Sequence, residues 1–154
     1  MDYISEKEET ARKLFREGRN CAQAVFCTFC EDFGIDFETG LKLSSSFGGG
    51  MGKLREVCGA VSGMFMVAGL KYGYTSNNNL LEKAEHYKLI QNLAEKFKQK
   101  FGTIICREIL KIDSDGYIPS ERTQEYYETR PCEECIATAA KITAELLQKS
   151  PSAL

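Results

Sequence analysis

The sequence predicts an all-α fold: a single-domain helical bundle packed around a buried central helix. Three observations carry the prediction. Apolar residues recur at spacings of three and four in every long segment, while alternating strand patterns never last beyond a few residues. Capping residues and glycines fall at the joints between those segments. One segment, Leu54 to Tyr72, is apolar on all sides, as a helix enclosed by its neighbours must be.

The elements follow in order. Ser5-x-x-Glu8 reads as a capping box that opens a first helix, with Ala11, Leu14 and Phe15 on its apolar face and Gly18 as the stop. Asn20 caps a second helix from Cys21 to about Asp32, ended by Gly34. Asp36 caps a short third helix carrying Phe37, Leu41 and Ser44, which leads into the glycine loop at 48–52. The fourth and central helix takes Leu54 to Tyr72, and its Gly59, Ala60 and Gly63 allow a neighbour to approach closely. The Asn77-Asn78-Asn79 turn starts the longest helix, about Leu80 to Phe101, with a stripe of Ala84, Tyr87, Ile90, Leu93, Ala94, Phe97 and Phe101. A short helix from Thr103 to Lys111 follows, then a loop from Asp113 to Ile118 and one or two turns across Ser120 to Tyr127. Pro131 opens the last helix, which runs to Gln148. The domain is expected to span residues 1–149, with residues 150–154 frayed.

Composition narrows the function. A chain of 154 residues with 43% hydrophobic and 27% charged residues has enough apolar surface for a core without disulfide support. The formal charge is −2 and its basic residues are scattered among acidic ones, which argues against a nucleic-acid partner. The N-terminus shows no basic and apolar leader, and the longest apolar stretch, Val57 to Leu70, falls short of the ~20 residues of a membrane span and is broken by glycines. A cytoplasmic location is expected, with no membrane-embedded segment. Seven cysteines there point to thiol chemistry or metal binding rather than to a disulfide framework.

Several motifs fail on inspection. Gly48–Lys53 lacks the glycine and the Ser or Thr of a phosphate loop, since Phe47 and Leu54 stand there, so it reads as a turn that lets backbone pack closely. Asp113-Ser114-Asp115-Gly116 is a turn, because Lys111 and Arg122 replace the acidic ligands of a calcium loop. His86 lies in the apolar stripe of the long helix and reads as a packed histidine. Ile136 after Cys132-x-x-Cys135 excludes a haem attachment motif, and Cys27-x-x-Cys30 lies too far from that pair for a zinc ribbon.

The cysteines divide by position. Cys21, Cys58, Cys106 and Cys132 each fall where a helix begins, and the free N–H groups and positive dipole end at such a start stabilise a thiolate. Cys27 and Cys30 sit in mid-helix and read as small buried hydrophobes. Cys135, one turn into the last helix, either pairs with Cys132 or packs. Glu133 and Glu134 are expected to oppose ionisation of Cys132. On residues alone, site cysteines and core packing both stand.

The order Asn20-Cys21-Ala22-Gln23-Ala24-Val25, Phe47-Gly48-Gly49-Gly50-Met51-Gly52, Cys58-Gly59-Ala60-Val61-Ser62-Gly63, Gly69-Leu70-Lys71-Tyr72-Gly73, lone Cys106 and final Cys132 resembles the C_GCAxxG_C_C family, to which a redox role is attached. The resemblance covers about residues 8 to 145. It implies a redox or metal role for Cys21, Cys58, Cys106 and Cys132, and leaves Cys27, Cys30 and Cys135 outside the pattern. Two chemistries follow. In dithiol–disulfide exchange, a thiolate attacks and a second cysteine resolves, with a redox protein or a small thiol as partner. In the metal version the same four cysteines ligate zinc or an iron–sulfur cluster. Cys58 is the expected attacking thiol, exposed by the glycine loop and acidified by Lys53 or Arg55. Both versions require the four sulfurs to converge. The competing class is a helical binding or adaptor module whose cysteines are reduced core residues.

Overall fold

The computed structural model describes residues 1–113 and 115–149, and it is all-α. Among the described residues no strand forms, and the only β-type contact is an isolated antiparallel bridge between Val57 and Ile105. No helix among them is long and apolar enough to cross a membrane.

Helix α1 (Tyr3–Arg16) starts earlier than the Ser5–Glu8 box suggests, because the Asp2 carboxylate accepts from the Ser5 N–H and caps it. It buries Ala11 and Phe15 against α9 (Cys132–Gln148). Arg12 and Arg16 reach from α1 to Glu133 and Glu134 at the start of α9 and fix the relative position of the two helices. Helix α2 (Cys21–Phe29) opens with a full capping box: Asn20 accepts from the Gln23 N–H, and the Gln23 side chain accepts from the Asn20 N–H. It tightens into a 3₁₀ turn at Cys30–Phe33, and Gly34 stops it in the left-handed conformation. Helix α3 (Phe37–Ser45) is capped by Asp36 as expected.

Helix α4 (Gly48–Met51) is one turn with left-handed residues inside it. The central helix, α5 (Gly59–Tyr72), is shorter than its apolar pattern: residues 54–58 are not helical, and Leu54 is exposed. The pattern misleads because Val57 and Cys58 are buried or partly buried in an extended segment, and apolarity alone does not distinguish extended from helical burial. Helix α5 lies on α2 at close range. A Cβ at Gly59 would stand 2.9 Å from the Phe47 carbonyl and 3.0 Å from the Ala22 nitrogen, and one at Gly63 would stand 3.0 Å from the Ala22 carbonyl and from the Val25 Cβ. Phe15, Phe26, Phe29, Met64, Phe97, Leu93 and Ile136 fill the core around this contact. Each contributes roughly 1.5–3 kcal/mol by leaving water.

Helix α6 (Leu80–Phe101) is capped by Asn79, but only its second half joins the core. Leu93 and Phe97 are buried, whereas Ala84 and Tyr87 are exposed. His86 is not a core residue either. It is partly exposed, its Nδ1 has no partner among the described residues, and its ring meets the edge of Tyr74.

Helix α7 (Cys106–Leu110) begins later than Thr103, whose hydroxyl instead accepts from the Ile105 N–H. Helix α8 (Gln124–Thr129) is displaced toward the C-terminus from the expected turns because Thr123 caps it. Pro131 is the N-cap of α9 rather than its first helical residue. The expectation of fraying at 150–154 lies outside the described residues.

Candidate functional site

Cys21, Cys58, Cys106 and Cys132 line one cavity of about 70 Å³, together with Cys135. Each arrives by a separate local device. Asn20 caps α2, so Cys21 is its first residue. Cys58 is the N-cap of α5 and Cys106 the first residue of α7, and backbone pairing ties these two together: the Cys58 N–H donates to the Ile104 carbonyl at 2.8 Å and the Cys106 N–H to the Glu56 carbonyl at 2.6 Å. Cys132 is the first residue of α9, and Cys135 lies one turn further on the same face.

The glycine loop forms one wall. Gly49, Gly50, Met51, Gly52, Lys53 and Arg55 all have positive φ, between 60° and 71°. The three non-glycine residues cost of order 1–3 kcal/mol each, and such strain persists only where the surroundings hold it. Here the Arg55 and Glu56 N–H groups donate to the Gly49 and Gly50 carbonyls, and Asp115 accepts from Arg55 and pairs with Lys53. These two cations hold the Asp115 carboxyl down at about 2. The close approach expected of this loop is to the site itself, since a Cβ at Gly50 would lie 2.7 Å from the Cys106 Cβ.

Arg122 closes the other side. It donates to the Phe15 carbonyl in the last turn of α1 and to the Arg19 carbonyl just beyond it, and lies over the rings of Phe15, Tyr126 and Tyr127. The last carbonyls of a helix attract a cation, so this one residue anchors the loop before α8 to α1. Arg130, over the Tyr126 ring, completes the rim.

The sulfurs fall into two interacting pairs and one single thiol. Cys21 and Cys132 interact, and in this pair Cys132 ionises first. The Cys21 thiol lowers Cys132 to about 7, helped by the charges of Arg130, Arg122 and Arg55, while the same interaction and burial push Cys21 well up. Behind them Cys58 and Cys135 interact. Cys58 is lowered by Cys135 and by the Ala60 and Val61 N–H groups at the start of α5, and Cys135 is raised. Cys106 accepts from the Arg55 guanidinium at 3.7 Å, but burial keeps it above its ordinary value. Cys21 and Cys132 are partly exposed, whereas Cys58, Cys106 and Cys135 are buried.

Two expectations are corrected by this geometry, and one of the two alternatives for Cys135 is selected. Arg55 faces Cys106 rather than Cys58, and Lys53 is engaged with Asp115, so the acidity of Cys58 comes from Cys135 and the helix start. Glu133 and Glu134 do not oppose ionisation of Cys132, because they point across to Arg12 and Arg16. Cys135 packs against Cys58 rather than pairing with Cys132; its spacing from Cys132 placed it on this face, and only the fold supplied the partner. Cys27 and Cys30 are buried elsewhere, under Gly40 of α3, where burial raises both and carries Cys30 to about 12.

The donor set also tests the metal version. Among the described residues, no three His, Cys, Asp or Glu side chains are grouped so that they would hold a metal ion. The five thiols share a cavity, yet their arrangement is one of pairs and does not fit a preformed zinc or iron–sulfur site. All seven cysteines are free thiols.

Fold and site together define an all-α protein that gathers cysteines from the starts of separate helices around a small cavity. Its sequence matches the family described as "putative redox-active protein (C_GCAxxG_C_C)" over residues 19–146, and the chain belongs to that family. The match begins at residue 19 rather than near residue 8, leaving α1 outside it. No curated protein and no solved structure matches the chain.

Proposed function

We propose that this protein carries out thiol–disulfide exchange, with Cys132 as the attacking thiol and Cys21 as the resolving one. The observation that carries the reading is that Cys21 and Cys132, each the first residue of its helix, are the two partly exposed thiols of a cavity lined by five cysteines. Cys132, rather than Cys58, is the attacker because it is partly exposed and is held at about 7, beside a thiol that keeps its proton. The thiolate attacks a disulfide R–S–S–R, forming Cys132–S–S–R and releasing R–S⁻. Cys21, once deprotonated, attacks the Cys132 sulfur. This forms the Cys21–Cys132 disulfide and releases the second R–S⁻, so the protein loses two electrons and the partner disulfide gains them. Cys58 and Cys135, packed directly behind, form a second dithiol to which the oxidation can pass by the same exchange.

Trapping tests the sequence of events. Reduced Cys21→Ser should accumulate a mixed disulfide at Cys132 with hydroxyethyl disulfide, and intact mass should show one adduct. Cys132→Ser should form no such adduct at Cys21. Equal adduct formation in both variants would remove the assignment of roles.

Metal binding by the same cysteines is the second reading, favoured by their shared cavity. It requires the pairs to regroup around an ion. Titration of the reduced protein with zinc, followed by equilibrium dialysis and thiol protection, separates the two. Stoichiometric zinc that shields Cys21, Cys58, Cys106 and Cys132 from alkylation would favour ligation over exchange.

A further inference from the structure

Outside the thiol cavity lies a second, larger hollow of about 310 Å³, and the two share the walls Asn20, Gly49, Arg55, Arg122, Tyr126 and Arg130. The outer hollow is also bounded by Lys53 and Tyr117, and no Asp or Glu among the described residues lines it. Among the described residues, Asp115 is the carboxylate that pairs with these cations, meeting both Lys53 and Arg55. Arg122 spends its donors on backbone carbonyls and the Tyr127 hydroxyl, and among the described residues neither Arg122 nor Arg130 pairs with a carboxylate. Four cations therefore face one neutralising acid at the entrance to a cavity that needs a sulfur substrate.

Size divides the labour between the two spaces. The inner cavity has room for a few waters or for one sulfur-bearing chain end, and not for a ring or a folded peptide. The outer hollow is at the lower end of small-ligand sites, which run roughly 300–1,000 Å³. A substrate must thus be narrow at its sulfur and anionic a few bonds away, with Tyr117 and Tyr126 lining the space between.

Resting on the exchange reading, we propose that the outer hollow selects small carboxylate-bearing thiols and disulfides, with Arg130 receiving the carboxylate and Arg122 adding its charge beside it while the sulfur enters toward Cys132. Arg130 is a specificity residue. It draws an anionic disulfide in and opposes a cationic one, by the same complementarity that governs charged encounters generally. The covalent step is the exchange already given, the disulfide being reduced to two thiols as Cys21 and Cys132 are oxidised.

Three disulfides of different charge test this: glutathione disulfide (anionic), hydroxyethyl disulfide (neutral) and cystamine (cationic). Their rates with the reduced protein are divided by their rates with a neutral free thiol, which removes intrinsic reactivity. The anionic-to-cationic ratio also cancels the thiolate fraction of Cys132, so a substitution that merely shifts its ionisation leaves the ratio unchanged. Wild type should prefer glutathione disulfide, and Arg130→Glu should lower the ratio about tenfold or more at low salt, with Arg130→Gln between them. A parallel arm uses S-methylglutathione, which cannot exchange. It should bind reduced wild type with chemical-shift changes at Tyr126 and Arg130, and bind Arg130→Glu more weakly. Exchange with no charge preference and no S-methylglutathione binding overturns the anionic pocket and leaves the exchange reading standing. Charge-dependent S-methylglutathione binding without exchange from any disulfide keeps the pocket and overturns the exchange chemistry. Absence of both overturns both.

Discussion

The acidity of Cys132 should disappear with the Cys21 thiol. The ordinary thiol value of 9.0 is lowered to about 7 at Cys132, and interaction with Cys21 is the largest cause. At pH 7 such a thiol is about half ionised, against about one part in a hundred at its ordinary value, roughly a fifty-fold gain in thiolate. Nucleophilicity falls as acidity rises, with a Brønsted slope of about 0.4–0.5, and this returns roughly six- to ten-fold of the gain. The net advantage at pH 7 is therefore on the order of five-fold; it vanishes near pH 8 and reverses above that, as an ordinary thiol ionises too. Iodoacetamide labelling across pH 5.5–10, with mass mapping of each cysteine, should give a Cys132 midpoint near 7. Cys21→Ala should move that midpoint back toward the ordinary value, leaving only the help of Arg130, Arg122 and Arg55. Cys21→Ser retains a donor and should stay closer to wild type. A midpoint unchanged in Cys21→Ala would show that the pair does not set the acidity of Cys132.

Labelling order gives a second expectation: Cys132 should react first at neutral pH, and Cys27 and Cys30 last, since burial raises both. Mass mapping of the same time course reads it, and early modification of Cys30 would contradict the packing under Gly40. Stability should also depend on pH through Cys132. Its folded value lies below its unfolded one, so its contribution is present above the unfolded value and is lost as pH falls through about 7. Denaturant titrations of the reduced protein should show stability on the order of 2 kcal/mol higher at pH 9 than at pH 7 from this group. Cys132→Ser should lack that component, and identical pH dependence in the two proteins would refute it. In the core, Gly59→Ala should cost about 1–3 kcal/mol by overpacking against Phe47 and Ala22. Gly69→Ala in the same helix meets nothing within 4 Å and should gain about 0.5–1 kcal/mol. Paired urea melts would contradict this if the two substitutions behaved alike.

Much of the fold was legible because its signals are local. Asn20 and Asp36 cap the helices they were expected to cap, the Asn77–Asn79 turn leads into α6 as expected, and Gly59 and Gly63 make the close contact with α2 that small residues allow. The sequence pattern failed where burial, not periodicity, makes a segment apolar. Residues 54–58 are not helical, and the first half of α6 stands away from the core although its stripe continues. The site divides in the same way. The starts of α2, α7 and α9 could be read at Cys21, Cys106 and Cys132, and Cys58 lies one residue before α5. What could not be read were the partners across the cavity. Arg55 is near Cys58 in sequence but turns to Cys106, because its left-handed backbone reverses the chain there. The pairing of Cys58 with Cys135 joins α5 to α9, and no spacing in the sequence encodes it.

Disulfide mapping tests the central claim most directly. The fully reduced protein, treated with one equivalent of a neutral disulfide and quenched with acid, is digested without reduction and its linked peptides are identified. The pairing at the exposed side of the cavity predicts a Cys21–Cys132 link as the first intramolecular disulfide, with Cys58–Cys135 appearing only on further oxidation. A first link at Cys27–Cys30, or mixed disulfides that never resolve within the chain, would contradict thiol exchange at this site.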